Sequence, residues 1–582
     1  MYCDSFFMSR LLSLAQLSGS SWSSICLVCV TSLVFWRIKI AVTQYIRLRH
    51  IPSPSIFAAV SYIWLARTTY SGKQYWIHRD LHRQHGPLVR IGPNEITTDD
   101  PEILKKIASS GSTYSRGTWY LTGRFNPYHD NLFTILDPFA HKKAKTRSMP
   151  AYLGRDTPGL EVIINDKVKQ LISILQRRYL AVLPGQDPPL VDLGLISNYF
   201  TMDVITHLAF GHQVGYLQDE KDHYNFLGSV RKLWPQMSTS ADVPWIRNIL
   251  FSRPVLRFLG PKHTDKKGFG ALMGAAKQHV DRRFDSGEER KHDMLESLMK
   301  RGFTRQECEI EGLFLLLSGT ESTACAIRQI LVHVITAPSV YAKLKQEIDS
   351  TCQGRGISYP IQLAEAKRLP YLQAVIYEGI RMRPPLLGLF PKVVPEPGET
   401  FHGQFIPAGT SICTNGSSLL RSKSLFGADA DLYNPGRFME LSKERREEME
   451  RNVELAFGHG QWMCAGKTIA FMELNKVVFE VRVISFDTNS WYYFANKKHC
   501  QFFRAFDMQL HSPLKPCEVE SYAGLIAKPP AKSSDLSMIS RVTAMLSIPA
   551  SIPYPPQDPY AQCAQRKQLH PYANSFTFNI KY

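Results

Sequence analysis

Apolar positions first cluster near the N-terminus, where Leu11 to Trp36 runs uncharged between Arg10 and Arg37. As a helix this run spans ~39 Å at ~1.5 Å per residue, enough for a ~30 Å hydrocarbon core. It is long for a signal peptide and shows no small-residue cleavage site. Arg37, Lys39, Arg47 and Arg49 follow it, against Arg10 alone before it, so the bulk of the chain is expected on the cytosolic side. Ile51-Pro52-Ser53-Pro54 then reads as a stiff, non-helical joint. Further on, Leu160 to Leu180 and Leu193 to Phe210 repeat apolar residues at helical spacing, and a long helix is expected from Thr304 to Ala337. Another covers Leu372 to Arg383, closed by Pro384-Pro385, and helix resumes from Cys464. Leu88 to Ile91 before Gly92-Pro93-Asn94 predicts a strand into a turn, and Val393 to Thr414 a small strand region. Glu440 to Asn452 is charged and expected to be solvated. The pattern is mainly α with a minor β region, without internal repeats.

Composition narrows the classes. Over 582 residues, 44% hydrophobic and 21% charged side chains exclude a disordered, collagen-like or small disulfide-stapled protein. The net charge of +18 suits a membrane face, an acidic protein partner or nucleic acid, and no motif supports nucleic acid. The cysteines show no paired spacing; Cys26-x-x-Cys29 lies inside the apolar run. His78-Arg79-Asp80-Leu81 copies the start of a kinase catalytic loop, but His85 stands where a magnesium-holding Asn belongs. His78, His82 and His85 share a helical face, which Arg79, Asp80 and Arg83 make more consistent with a solvated basic helix than with a metal site.

The segment that carries chemistry is Phe457-Gly458-His459-Gly460-Gln461-Trp462-Met463-Cys464-Ala465-Gly466. Its glycines let a loop approach a flat ligand, and the cysteine sits at a helix N-terminus, where free N–H groups favour a thiolate. A thiolate is an axial ligand that pushes electron density onto haem iron. The segment resembles the cytochrome P-450 family, whose F-x-x-G-x-R-x-C-x-G pattern is met at Phe457, Gly460, Cys464 and Gly466. Trp462 occupies the arginine position, offering an N–H but no charge. Glu378-Gly379-Ile380-Arg381 matches the family's E-x-x-R helix, with Arg437 as third member of its triad and Gly436 where an acid usually precedes it. Ser318-Gly319-Thr320-Glu321-Ser322-Thr323 matches the acid–alcohol pair that loosens the helix over the haem and relays protons, here Glu321 and Ser322. Asp137-Pro138-Phe139-Ala140-His141 and Lys145 resemble the helix that touches a haem propionate, and Lys392 lies at another propionate-binding position. Two lysines and a tryptophan at arginine positions imply a looser haem grip.

The resemblance covers roughly residues 45 to 480. Leu369-Pro370-Tyr371-Leu372 and Met472-Glu473-Leu474 look most like fungal pisatin-demethylase-type members, which act on plant defence compounds or build secondary metabolites. It implies a cytochrome P-450 fold behind one N-terminal transmembrane helix, in the endoplasmic reticulum membrane with a cytosolic catalytic domain. It also implies haem b (iron protoporphyrin IX), an NADPH-cytochrome P-450 reductase docking on the basic face, and monooxygenation of an apolar small molecule. Residues 1–44 are then anchor and linker, 45–515 the haem domain and 516–582 a divergent tail. Val481 to Gln501 reads as surplus, separating Phe479-Glu480 from its continuation at Phe502, and is consistent with a translated intron. Clustered Pro and Ser beyond Cys517 suggest disorder or loose docking. A reductase-independent isomerase or dehydratase, or an inactive membrane-bound scaffold, are the alternatives. Substrate-lining residues are expected within Ser115 to Asp137 and His223 to Val243.

Overall fold

The computed structural model describes residues 22–180, 191–285, 292–354 and 356–483, with strand segments at 509–510, 520–522, 526–528 and 537–539. The helix Arg305–Thr336 runs through the core, and Thr304 and Glu307 close its first turn in a reciprocal capping box. It packs along the helix Leu193–Phe210, itself buried on nearly every face. Gly319 makes that approach possible, because a Cβ there would stand 2.6 Å from Ile205 Cγ1. The helix expected over Leu160 to Leu180 is α-helical through Leu160–Ile174 and widens into a π-turn over Leu175–Leu180. Of the stretch Glu440 to Asn452, all but its last residue is at least partly exposed, as the charged helix Lys443–Glu454, whereas Asn452 is buried.

The main sheet takes the strands Leu88–Arg90, Glu95–Thr98, Ser411–Thr414, Lys392–Val393 and Ser115–Arg116 in that spatial order. Glu95–Thr98 and Ser411–Thr414 run parallel, and Lys392–Val393 pairs antiparallel with both of its neighbours. In the last pairing Arg116 stands directly opposite Lys392. Within the tail, Glu520–Tyr522 and Ile526–Lys528 form an antiparallel pair. Ser537–Ile539 joins Val191–Asp192 to Gln509–Leu510, covering strand edges that would otherwise be open. The helix after the cysteine extends over Lys467–Val483, and the rest of the surplus segment lies outside the described residues.

Near the N-terminus the helix is Trp22–Arg47, not ending at Trp36 but continuing through Arg37 and Lys39. Its stretch Cys26–Arg47 is long and apolar enough to cross a membrane. Its last turn is docked: Arg47 Nη2 donates to Ala408 O at 2.7 Å and Arg90 Nη2 to Gln44 O at 3.0 Å. The solvated histidine face is corrected. His78 and His82 are buried, His78 stacks on Trp64 and its own carbonyl accepts Asn415 Nδ2 at 2.8 Å. Burial drives His78 down to about 3, so it is neutral, and no metal-holding group of His, Cys, Asp and Glu occurs among the described residues.

The triad is assembled in full. Glu378 and Arg381 are completely buried, with Arg381 Nε and Nη2 donating to the two carboxylate oxygens at 2.7 and 2.8 Å. Arg437 Nε donates to the same carboxylate at 3.1 Å, and the Asn434 N–H donates to it at 2.7 Å. Asp429, not residue 436, gives Arg437 its second acid at 2.8 Å. Burial alone would raise Glu378, yet Arg381 and Arg437 hold it below the usual carboxylate range. Glu378→Gln strands both guanidinium groups and should cost about 3–5 kcal/mol. Urea unfolding would show this as a lowered midpoint at unchanged slope; an unmoved midpoint would contradict it.

Candidate active site

Between the long helix and the cysteine loop lies a cavity of ≈ 450 Å³. Cys464 is on its floor, held where its N–H donates to Phe457 O at 2.7 Å. The loop turns through left-handed Gly458 and Gly460; a Cβ at Gly460 would lie 2.3 Å from Ala108 O. A Cβ at Gly466 would meet nothing closer than Cys464 Sγ, at 4.0 Å, so that side stays open. Burial pushes the thiol up, opposed by the N–H groups of Gly466 and Lys467 and the charges of Lys145 and Lys467. Phe457 packs on Phe471 of the following helix, centroids 5.4 Å apart.

Opposite the cysteine, Ser318, Glu321 and Ser322 of the long helix line the cavity. Ser322 Oγ donates to Ser318 O at 2.9 Å, bonding back to the preceding turn. The helix is unbroken there. Glu321 does not reach solvent: it is buried, accepts from Asn198 Nδ2 at 3.4 Å, and burial raises its carboxyl against the pull of Arg328 and Arg231. The walls are aromatic, with Trp119, Tyr120, Phe133, Phe314 and Phe390 in one contiguous cluster. They come from the expected stretch Ser115 to Asp137, from the long helix and from the segment before Lys392, while Phe226, Trp234 and Ala241 supply the second expected stretch.

One end of the cavity is cationic. Lys392 is buried, donates to Tyr120 Oη at 2.6 Å, and burial and then Arg116 press it well below the usual lysine range. Lys145 donates to Gln461 O at 3.0 Å and Met463 O at 2.6 Å, bracing the cysteine loop, and burial brings it to about 8. His141 is buried against the Trp462 indole; burial, with Arg116, Lys145 and Lys392, takes it down to about 2. Arg116 completes the group and was not singled out by sequence, where a lone arginine on a two-residue strand carries no pattern. Its Nη1 donates to Leu132 O and Phe133 O, and burial lowers it to about 10. Among the described residues no carboxylate pairs with Arg116, Lys145 or Lys392, and Trp462 Nε1, His141 Nδ1 and Arg116 Nε are buried without partners. An anionic group with hydrogen-bond acceptors would satisfy all of them, so the residues fit a flat cofactor bearing carboxylates above a cysteine.

Comparison with known proteins agrees. The cytochrome P-450 family model matches residues 52–481, ending at the first residue of the segment read as surplus. The chain belongs to the cytochrome P-450 family, and is a monooxygenase of that family. It is 95% identical over 558 residues to the cytochrome P-450 monooxygenase abl1 of Leptosphaeria maculans, covering 96% of this chain and 95% of that one. Most of the stretch after Val481 therefore has a counterpart there. It is 61% identical over 475 residues to aba1 of Botryotinia fuckeliana, 82% of this chain and 89% of that one. ABA1 of Pyricularia oryzae is 36% identical over 498 residues, 84% and 92%. Family membership implies a haem-iron cofactor.

Sequence reasoning also missed buried acids around the cavity. Asp242 accepts Trp119 Nε1 at 2.9 Å and Thr69 Oγ1 at 2.6 Å, fixing the indole in the wall. Glu311 accepts the Leu132 N–H at 2.7 Å, tying the long helix to the loop that Arg116 also holds, and burial raises it to about 7. A raised carboxyl stabilises the fold fully below its unfolded pKa near 4.5, and that contribution is lost as pH rises through 7. Stability relative to Glu311→Gln, which keeps the acceptor oxygen, should therefore fall by on the order of 3 kcal/mol from pH 4.5 to 8. Melting temperatures of the two proteins across that range check it; parallel curves would exclude titration of Glu311.

Proposed function

We propose that the chain is a membrane-anchored haem-thiolate monooxygenase that oxidises an apolar small molecule in fungal secondary-metabolite biosynthesis, taking NADPH electrons from a cytochrome P-450 reductase. The carrying observation is Cys464 on the floor of an aromatic cavity whose one end holds cations that no carboxylate among the described residues meets. Haem b bound there supplies the oxygen-activating chemistry. Cys464 Sγ would supply the thiolate that holds its iron, with Phe457, Gly460 and Gly466 shaping the loop around it. Lys392, Trp462 and His141, with Arg116, would hold its propionates, and Lys145 would hold the loop that presents the thiolate. Glu321, its carboxyl raised by burial, and the Ser322 hydroxyl at the cavity surface would pass protons inward. Trp119, Phe133 and Phe314 exclude water and orient an apolar substrate. Exposed Lys142 and Lys143, on the helix whose Lys145 holds the cysteine loop, suit an acidic reductase.

The domain assignment follows: anchor and linker in 1–44, haem domain in 45–515 with 481–501 surplus, tail in 516–582. A reduced-plus-carbon-monoxide difference spectrum should show the strongly red-shifted band of thiolate ligation, absent in Cys464→Ala. Turnover should need NADPH and reductase. Peroxide conversion without them would establish the isomerase or dehydratase reading, and no haem band the scaffold.

We place the protein in the endoplasmic reticulum membrane by one span, its catalytic domain cytosolic. Supporting this, Ile56, Phe57 and Ile63, next to the anchor, are exposed, as are Trp245, Ile249, Phe258 (71%) and Leu259 (83%). The helix Phe226–Asp242 packs on both Ile63–Tyr70 and Pro244–Leu250, so it bridges these apolar surfaces. Exposed Lys262, Lys266 and Lys267 follow them, as a surface resting on anionic headgroups requires. Deleting residues 1–40 should leave vesicle binding that Phe258→Asp with Leu259→Asp removes; complete loss on deletion alone would confine attachment to the anchor.

A further inference from the structure

Arg116 and Lys392 are directly opposed across neighbouring strands, a placement that like charges normally destabilise. Both are buried, and no carboxylate among the described residues acts on either. What lies against them is the Trp462 indole: Arg116 Cζ is 4.6 Å and Lys392 Nζ 5.5 Å from its ring centre. The neutral His141 ring packs on the same indole with centroids 4.5 Å apart. Tyr120 offers a second π face to Arg116, at 4.5 Å, and its hydroxyl to Lys392. An indole face attracts desolvated cations without neutralising them. An arginine at position 462 would instead bring a third cation to the pair, which is the opposite electrostatic sign.

We propose that Trp462 is a cation–π platform holding Arg116 and Lys392 side by side with their charge unspent, so that this pair, rather than residue 462, presents the positive charge to an anionic ligand group. The inference rests on the haem reading, in which that group is a pair of propionates. It makes Trp462 a positioning residue, and it replaces the looser grip implied by the missing arginine with a grip relocated to the sheet. It also links the identity of residue 462 to that of residue 116. Restoring the family's arginine should harm this chain, unless Arg116 is removed with it.

The test uses the expressed full-length holoprotein and measures the rate of haem transfer to excess apomyoglobin and the urea unfolding midpoint. Trp462→Phe, which keeps a π face, should stay close to the unaltered protein. Trp462→Leu, of similar apolarity but without that face, should lose haem roughly tenfold faster, the scale of one desolvated cation–π contact. Trp462→Arg should lose haem faster still, and Trp462→Arg with Arg116→Gln should recover most of the loss. Equal rates for the Phe and Leu variants, or tighter haem in Trp462→Arg, would overturn the proposal. If Trp462→Arg does not fold, the Phe and Leu pair decides alone. Should the unaltered protein carry no haem, the functional reading fails. The platform is then still judged by the unfolding midpoints, where Leu must fall below Phe.

Discussion

Positive charge buried at one end of the cavity, with no carboxylate among the described residues to meet it, is the condition around which the rest of the site is arranged. Taking an ion out of water costs several kcal/mol, and the usual remedy is a paired acid. Here Arg116, Lys392 and Lys145 have backbone carbonyls, a tyrosine hydroxyl and aromatic faces instead. Those partners lower the cost but leave the field open, as the depressed Lys392 shows. A ligand carrying negative charge is the missing counterpart. The aromatic wall follows from the same condition, because the rings that stabilise cations through their faces also make an apolar chamber.

The Glu378–Arg381–Arg437 cluster shows the contrary solution. It too is buried, but every charge has an opposite one, and Arg381 spends its remaining donors on the carbonyls of Leu420, Ala430 and Leu432. Nothing is left for a ligand. One cluster is closed and fastens the helix Pro370–Met382 to the segment before the cysteine loop; the other is open and faces the cavity. Buried charge is structural in the first case and receptive in the second, and only the inventory of partners separates them.

That difference explains what the sequence disclosed. The cysteine loop, the E-x-x-R helix and the long helix are local patterns, readable because their residues are near neighbours in the chain. Arg437 was legible by order and spacing, whereas its second acid, Asp429, was not, because Gly436 drew attention to the wrong neighbour. Arg116 was invisible: its meaning depends on register with Lys392, nearly three hundred positions away, and on an indole from a third segment. His78 and His82 were misjudged for the same reason. Their interleaved charges suggested solvent, while packing by Trp64 and the Asn415 contact buries that face. Lys145 was recognised as cationic, but not that two loop carbonyls occupy it.

The acids around the cavity obey the same electrostatics in reverse. Glu321 and Glu473 both line it, both are buried, and both are raised above the ordinary carboxyl range, Glu473 by desolvation alone. Neither is among the groups that act on Arg116 or Lys392. Desolvation therefore does two things at once. It raises both acids toward their neutral forms, and it presses Lys392 well below the ordinary lysine range, a shift that an anionic ligand would oppose.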